Sequence, residues 1–343
     1  MSLKSLPTRT LGKNGPTVSA LGLGAMGIGA FYGSSDETKS QTIIGKWFAQ
    51  TGRRSEIFLA TKFGSMDLSD GAPDPYKANS KPRYIAQQLS KSLAALQTDY
   101  VDLYYQHRVD PEVPIEVVLE ALRPFVESGK IKWIGLSEPS VKTLRRAKAV
   151  EGVGAKVVAV QMEFSPFELS IEKNGFLEVA NENGMAVVAY SPLARGLVTG
   201  RWVRSLYLQG PAINLFIHRF RSPVDFEEAD IRKMLPRFSE ENFSKNLKVV
   251  DELKKIGEKY DATTSQIALA WILAEHPNFI PIPGIRSVER LEENARGAEL
   301  SLSAEDVKAI RKVVEAAEVA GERYPDFFMP QGDCIELSEW KGE

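Results

Sequence analysis

The chain has few of the residues that cross-link a protein or bind a metal ion. Its 343 residues include one cysteine, Cys334, which excludes an internal disulfide and a zinc site built from several thiolates. The three histidines, His107, His218 and His276, are far apart and lack the spacing of a metal-binding motif. We therefore expect no resident metal ion.

Neither sign of charge is in large excess, and long apolar runs are missing. The 43 Lys and Arg residues nearly balance the 45 Asp and Glu residues, which leaves a net charge of −2. This balance gives no electrostatic reason to expect a nucleic acid or an anionic membrane as a partner. No run of eighteen apolar residues and no apolar leader is found, so we expect a cytoplasmic protein without a membrane span.

What the sequence does contain is an alternation of short apolar strands and longer helical patterns. Seven strands are predicted, at residues 20–25, 57–62, 101–106, 132–137, 157–162, 185–190 and 278–282. Eight helices are predicted, at residues 42–50, 82–96, 115–128, 141–149, 175–183, 246–260, 265–274 and 288–295. Mostly apolar strands between helices are typical of a parallel sheet. Asn14-Gly15, between two short β-prone runs, predicts a hairpin before the first strand.

Two parallel architectures fit this alternation, a closed (β/α)8 barrel and an open doubly wound sheet. The spacing of the glycines in residues 21–30 resembles the GxGxxG motif that binds dinucleotides in open sheets. No helix follows them, however, which disfavours the open sheet. Polar residues at strand ends favour the barrel, because its strand ends converge on one mouth. These residues are Lys62, His107, Ser137, Gln161 and Ser191.

We predict a single α/β domain over residues 1–343, a TIM-type (β/α)8 barrel with an N-terminal β-hairpin. Its core covers about residues 9–318, and a polar tail, 319–343, is expected on the surface. The seven predicted strands are one short of a barrel, and the shortage lies between Ala25 and Ile57. The barrel is therefore predicted to lack one βα unit, the one with the second strand.

Two strand ends carry groups that can act on a carbonyl oxygen. Lys62 closes one apolar strand and His107 closes the next. Either residue alone has a simpler interpretation, as a lysine that extends to solvent or as a structural histidine. Together in one cavity they can donate hydrogen bonds to an oxygen and stabilise negative charge that develops there.

The loop after the last strand indicates an anion site. Gly284 permits close approach of a ligand, Arg286 can clamp a phosphate, and free N–H groups at the following helix start favour an anion. Arg290 in the first turn opposes the helix dipole, which suits a helix end that binds an anion. The simpler alternative is a helix start capped by Ser287.

These segments together resemble the aldo-keto reductase family, in its branch with longer barrel loops. The resemblance covers about residues 9–318 and rests on motifs in the family's order. They are LGLGAMG with AFYG (21–33), IGKWF (44–48), EIFLATKFG (56–64), DYVDLYYQHRVDP (99–111), GKIKWIGLSE (129–138), VQMEFS (160–165), VVAYSPLARGLVTG (187–200) and IPIPGIRSVERLEENA (280–295). The resemblance implies a barrel that binds NADPH across its mouth and reduces an aldehyde or ketone.

The resemblance also implies roles for individual residues. Lys62 and His107 match the catalytic lysine and histidine, Ser137 and Gln161 the residues that bind the nicotinamide carboxamide, and Tyr190 the ring that stacks on the nicotinamide. The remaining matches are all to cofactor-binding positions: Gly24, Met26, Ser191, Leu193, Arg195, Gly196, Gly284, Arg286, Arg290, Glu293 and Asn294. Arginines that meet a 2′-phosphate imply NADP rather than NAD.

The chain departs from the family pattern after Ser40. Family members carry a βα unit there, with an Asp-Thr-Ala segment and a Tyr-Gly pair that complete the catalytic tetrad. Here Ser40 is followed directly by Gln41 and the IGKWF helix. The aspartate and the proton-donating tyrosine are missing, and Tyr32 does not match that tyrosine. The absence agrees with the count of seven strands.

Three hypotheses remain open at this point. The first is an NADPH-dependent carbonyl reductase that acts on a small molecule. The second is a non-catalytic NADP-binding or regulatory relative. The third is a truncated gene model or splice form of an active reductase, joined at Ser40 and Gln41. A phosphosugar isomerase or aldolase on the same barrel is a distant fourth.

Overall fold

The computed structural model describes residues 6–25, 37–65, 77–200, 226, 230–285 and 287–343. Its central sheet has six parallel strands that neighbour each other in chain order. They are β3 (Ala60–Phe63), β4 (Val101–Gln106), β5 (Ile131–Ser137), β6 (Val157–Glu163), β7 (Ala186–Tyr190) and β8 (Phe279–Pro281). Sequential order is the winding of a barrel, whereas a doubly wound sheet reverses its order at a switch point. The fold is therefore of the predicted α/β barrel class.

The first predicted strand, residues 20–25, is shorter in the structure than expected. Only Gly24 forms a ladder bridge, a parallel one to Gly284, although Gly22 N–H also donates to the carbonyl of Pro281 at 3.0 Å. A Cβ at position 24 would lie 2.6 Å from the carbonyl oxygen of Ile282. The two backbones therefore meet so closely that glycine is required, and a regular strand does not form.

The predicted hairpin is present and covers the amino-terminal end of the barrel. β1 (Thr8–Thr10) and β2 (Thr17–Ser19) pair antiparallel. Leu11, in the turn between them, is buried in one cluster with Leu103 and Val188 from the barrel strands. The amide of Lys13 donates to the carbonyl of Gly184 at 2.7 Å. With this end covered, a ligand has access from the carboxyl ends of the strands.

Ten helices surround the sheet. They are α1 (Glu37–Thr51), α2 (Pro82–Leu96), α3 (Ile115–Glu127), α4 (Val141–Ala149), α5 (Ser170–Lys173), α6 (Phe176–Glu182), α7 (Glu240–Lys259), α8 (Thr264–Glu275), α9 (Val288–Glu299) and α10 (Ala304–Ala316) among the described residues. Sequence analysis missed α10, although Ser303 caps it by accepting from the amide of Asp306. None of these helices is long and apolar enough to cross a membrane, and no cluster of metal-binding side chains occurs in the part of the chain described.

The polar tail does not simply lie on the surface, as the sequence suggested. Cys334 is buried, and the amide of Ile335 donates to the carbonyl of Pro111 at 3.0 Å. Arg146 of α4 donates to the carbonyl of Ile335 at 2.8 Å and forms a two-pronged pair with Glu116. These contacts are made by polar and backbone groups rather than by an apolar face. The tail therefore has no apolar periodicity from which they could have been predicted.

We expect Gly135→Ala to destabilise the barrel. A Cβ at this position in β5 would lie 2.2 Å from the ring of Tyr105, which is fully buried and has little room to move. Overpacking of this kind typically costs about 1–3 kcal/mol of the free energy of unfolding, measurable by urea denaturation. In a Tyr105→Leu background the added cost should be smaller, and strictly additive losses would contradict the proposed contact.

Candidate active site

The structure brings five of the predicted site residues to one end of the barrel. All five lie within two residues of the carboxyl ends of β3 to β7: Lys62, His107, Ser137, Gln161 and Tyr190. Lys62 lies opposite Tyr105, and Ser137 lies opposite Gln161. Because the strands are parallel and in register, these polar side chains border a common mouth.

The pair of Lys62 and His107 occupies one side of this mouth. The amide of His107 donates to the carbonyl of Phe63 at 2.8 Å, which fixes the two strand ends side by side. The Lys62 Nζ lies 5.8 Å from the centre of the Tyr105 ring. Burial, together with the charges of Lys62 and Arg108, holds the pKa of His107 well below its ordinary value. A neutral imidazole therefore stands beside a lysine, and both can donate to one oxygen atom.

The next part of the mouth carries buried groups suited to an amide. Ser137 and Gln161 are both almost fully buried and face each other across β5 and β6. Arg108 reaches this point as well, since its guanidinium donates to the Ser137 hydroxyl at 3.3 Å. A hydroxyl next to a carboxamide side chain can donate to and accept from a planar amide ligand.

Tyr190 closes β7 and is held by its hydroxyl. The Tyr190 hydroxyl donates to the carboxylate of Glu138 at 2.7 Å. Burial, with Tyr324 and Glu138 as neighbours, holds the pKa of Tyr190 well above its ordinary value. Tyr190 therefore keeps its proton, its hydroxyl is held by Glu138, and it is a weaker acid than an ordinary tyrosine.

The loop after β7 has an unusual backbone. Ser191, Ala194 and Arg195 all have left-handed backbone angles, with φ of 50°, 48° and 54°. Non-glycine residues adopt these angles at a cost, and they cluster at ligand-binding sites. The Arg195 side chain is engaged elsewhere, because it forms a two-pronged ion pair of 2.6 and 2.8 Å with the buried carboxylate of Glu163. This loop can therefore offer a ligand its backbone, including Leu193 and Gly196, rather than the arginine charge.

The predicted anion site at the start of α9 is partly described. Ser287 caps the helix, as the simpler alternative to an anion site has it, and the amide of Arg290 donates to the Ser287 hydroxyl at 3.4 Å. The Arg290 guanidinium pairs with Glu293, while Asn294 lies on the buried face of the same helix. Gly284 lies next to Gly24 in the parallel bridge.

Some predicted positions fall outside the described residues. They are Met26, Tyr32 and Arg286.

Sequence analysis missed Glu138, Glu163 and Arg323. Arg323 donates from both terminal nitrogens to the two oxygens of Glu138, at 2.8 Å each. Glu138 directly follows Ser137 at a strand end, a position that could have suggested a role. Arg323 lies 185 residues further along the chain, and no sequence pattern links the two.

Comparison with known proteins gives a consistent result. The sequence profile of the Aldo/keto reductase family matches residues 20–315. The chain is 42% identical to "Aldo-keto reductase str7" of Strobilurus tenacellus over 350 aligned positions, with 93% of this chain and 95% of that protein covered. It is 41% identical to "Aldo-keto reductase yakc [NADP(+)]" of Schizosaccharomyces pombe over 349 positions, with 94% and 95% covered.

A solved structure is similar as well. The crystal structure of the thermostable aldo-keto reductase Tm1743 with the inhibitor epalrestat superposes with a TM-score of 0.65 at 26% identity, covering 90% of this chain and all of that one.

We expect the imidazole of His107 to stay neutral at pH values where an exposed histidine is half protonated, about pH 6.5. Its ring signals in a proton NMR titration should therefore not shift until the pH is well below that value. Lys62→Met should raise the pKa of His107, because one of the charges that lowers it is removed.

The same depressed pKa makes stability depend on pH. Below about pH 6.5 the unfolded chain binds a proton at this histidine that the folded chain does not bind, so the free energy of unfolding falls as the pH falls. Above that range His107 contributes no slope. His107→Gln should remove this part of the acid dependence, and an unchanged slope in the variant would contradict the neutral state.

Proposed function

The chain belongs to the Aldo/keto reductase family, and on that premise we propose that it reduces an aldehyde or ketone to an alcohol with NADPH. The observation that carries the proposal is the pairing of a neutral His107 with Lys62 at the mouth, beside the buried Ser137 and Gln161. The family uses NADP(H), and one relative is named for NADP(+). The substrate is a small carbonyl compound.

The described residues fit NADPH in three places. Ser137 and Gln161 offer paired donors and acceptors for a carboxamide. The left-handed backbone at Ser191, Ala194 and Arg195 resembles the turns that bind phosphate oxygens. Among the described residues, a Cβ at position 284 would meet just the Gly24 carbonyl oxygen, at 3.8 Å, so their packing does not require a glycine there. This supports a bound group next to Gly284.

The chemistry needs a hydride and a proton. When bound, the reduced nicotinamide supplies the hydride. His107 is neutral, so it donates a hydrogen bond to the carbonyl oxygen without carrying a charge of its own. Lys62 provides a nearby cation that stabilises the negative charge on that oxygen. Tyr190 presents its ring and keeps its proton, because its pKa is raised.

A positioned acid is the part that the described residues do not supply. We propose that the βα unit with the family's Asp and Tyr is missing between Ser40 and Gln41. The alignment with the Strobilurus protein supports this. It has 350 positions but covers only 93% of the 343 residues of this chain, so about 31 residues of the relative lie opposite gaps in this chain. In the structure Ser40 and Gln41 both lie inside α1, and the side-chain amide of Gln41 donates to the hydroxyl of Thr61 in β3 at 3.2 Å.

A second function is consistent with the same observations. With the cofactor subsites kept and the proton donor missing, the chain could serve as a non-catalytic NADP-binding relative. A third possibility is that this sequence is a truncated gene model or splice form of an active reductase. A transcript read across the codons of Ser40 and Gln41 separates these alternatives.

We expect NADPH to bind more tightly than NADH, because Arg286 and Arg290 match the family positions that bind the 2′-phosphate. A charge-assisted hydrogen bond contributes about 1.5–3 kcal/mol, or roughly a ten- to hundredfold preference. In fluorescence titrations Arg290→Met should weaken NADPH binding and leave NADH binding almost unchanged.

The matched control is Arg296→Met, which removes a charge from an exposed position of the same helix. It should affect neither cofactor. Equal losses in the two variants would mean that general electrostatics, rather than a contact at Arg290, sets the preference.

We expect the chain as it stands to reduce carbonyl compounds slowly. Positioned acid catalysis contributes about 10²–10⁴-fold, and insertion of a family-like helix, strand and Asp–Tyr pair between Ser40 and Gln41 should restore it. With NADPH and a panel of aldehydes, the extended chain should be faster by at least about a hundredfold.

If the unextended chain is equally fast, another residue supplies the proton, and Tyr32→Phe tests the first candidate. If neither chain reduces any aldehyde while both bind NADPH, the non-catalytic alternative is favoured.

A further inference from the structure

The segment after the last helix reaches back to the mouth of the barrel. α10 ends at Ala316, and Arg323 and Tyr324 follow it in the tail. The Arg323 guanidinium forms a two-pronged ion pair with Glu138, 2.8 Å at each contact, and both side chains are largely buried. Two-pronged arginine–carboxylate pairs fix orientation as well as distance.

Glu138 passes this constraint on to Tyr190. Each carboxylate oxygen of Glu138 accepts from Arg323. One of them, Oε1, also accepts from the Tyr190 hydroxyl at 2.7 Å and from the backbone amide of Glu163 at 3.3 Å. Glu138 itself has a left-handed backbone, with φ of 54°, which is retained only where neighbours hold it. Its side chain is therefore confined by three donors.

Arg323 is the main counter-charge of Glu138, and the charge of Arg108 contributes less. Burial opposes ionisation of Glu138, yet the pair with Arg323 holds the pKa of its carboxyl below the ordinary value. A buried carboxylate that loses its partner is strongly unfavourable, so it moves toward water or takes up a proton. Either change alters the acceptor that orients the Tyr190 hydroxyl.

Tyr324 adds a second contact from the same segment. The Arg195 guanidinium lies 4.5 Å from the centre of the Tyr324 ring, and the Tyr324 hydroxyl is 3.5 Å from that of Tyr190. Arg195 is in turn fixed by Glu163. Tail residues 323 and 324 thus contact both the strand end of β7 and the loop that follows it.

We infer that Arg323 is a positioning residue of the cofactor site, which acts through Glu138 to hold the Tyr190 ring where a nicotinamide stacks. The inference rests on the proposed function, because it assumes that Tyr190 faces the nicotinamide of NADPH. It predicts that the tail contributes to binding of the nicotinamide half of the cofactor and not to binding of the adenosine half. A tail that only stabilises the fold would affect both halves alike.

The test compares two ligands by calorimetry, NADPH and 2′,5′-ADP, which lacks the nicotinamide half. Arg323→Met should weaken NADPH binding about tenfold, the equivalent of about 1.4 kcal/mol, and leave 2′,5′-ADP binding unchanged. Arg323→Lys keeps the charge and should recover part of the loss. The matched control is Arg311→Met, which removes a two-pronged pair of the same kind, with Glu172 of α5, and should change neither affinity.

A second variant covers the case in which Arg323→Met fails to fold. Glu138→Gln keeps an oxygen that can accept from Tyr190 and loses the ion pair, so it should weaken NADPH binding and leave 2′,5′-ADP binding unchanged.

The inference is overturned if the Arg323 and Glu138 variants bind NADPH like the unchanged chain, or if they lose both ligands equally. The inference is also overturned if the unchanged chain binds NADPH no more tightly than 2′,5′-ADP. An unchanged chain that binds neither ligand overturns the proposed function as well.

Discussion

The parallel pairing of β3 to β8 is the interaction on which the candidate site depends. Every strand runs in the same direction, so a polar residue that ends an apolar stretch is delivered to the same mouth. Lys62 lies opposite Tyr105, and Ser137 lies opposite Gln161 in the part of the β5–β6 ladder that follows a register shift at Ile134 and Gly135. A shift of one residue in any strand would turn its polar side chain away from the barrel interior.

Around this mouth the charges are arranged in closed pairs. Glu163 neutralises Arg195, and Glu138 neutralises Arg323, so two carboxylates and two guanidiniums are buried together at little net charge. The neutral His107 stands apart from these pairs, beside Lys62. Among the described residues at the mouth, a polar carbonyl substrate would therefore meet hydrogen-bond donors and a nearby cation, since Glu138 and Glu163 are both paired. This is the electrostatic setting that favours charge development on an oxygen atom.

The sequence was sufficient for features whose signal is local. Apolar strands with polar ends predicted the sheet and the positions of Lys62 and His107, and Asn14-Gly15 predicted the hairpin. The first strand was predicted too long, because the facing Pro283 has no N–H to donate to the Gly22 carbonyl and only the bridge of Gly24 with Gly284 forms. The start of α1 at Glu37 was missed, since its first residues are polar and show no apolar period.

Features that depend on distant parts of the chain could not be predicted. The pair of Glu138 and Arg323 joins residues 185 positions apart, and neither residue type is unusual in its local sequence. The contacts of Arg146 with the tail carbonyls use backbone groups, which carry no sequence signal at all. A single sequence shows which residues end a strand, whereas the partner of a buried charge emerges only once the fold places it.

Hydrogen exchange with and without NADPH, followed by mass spectrometry on the unchanged chain, tests the central claim most directly. If the strand ends and the loops form one cofactor site, NADPH should protect residues 137–138, 190–196, 284–294 and 321–324 together. The hairpin at the opposite end of the barrel, residues 8–19, should be unaffected. Protection confined to the hairpin end or the outer helices, or no protection at saturating NADPH, would contradict the account.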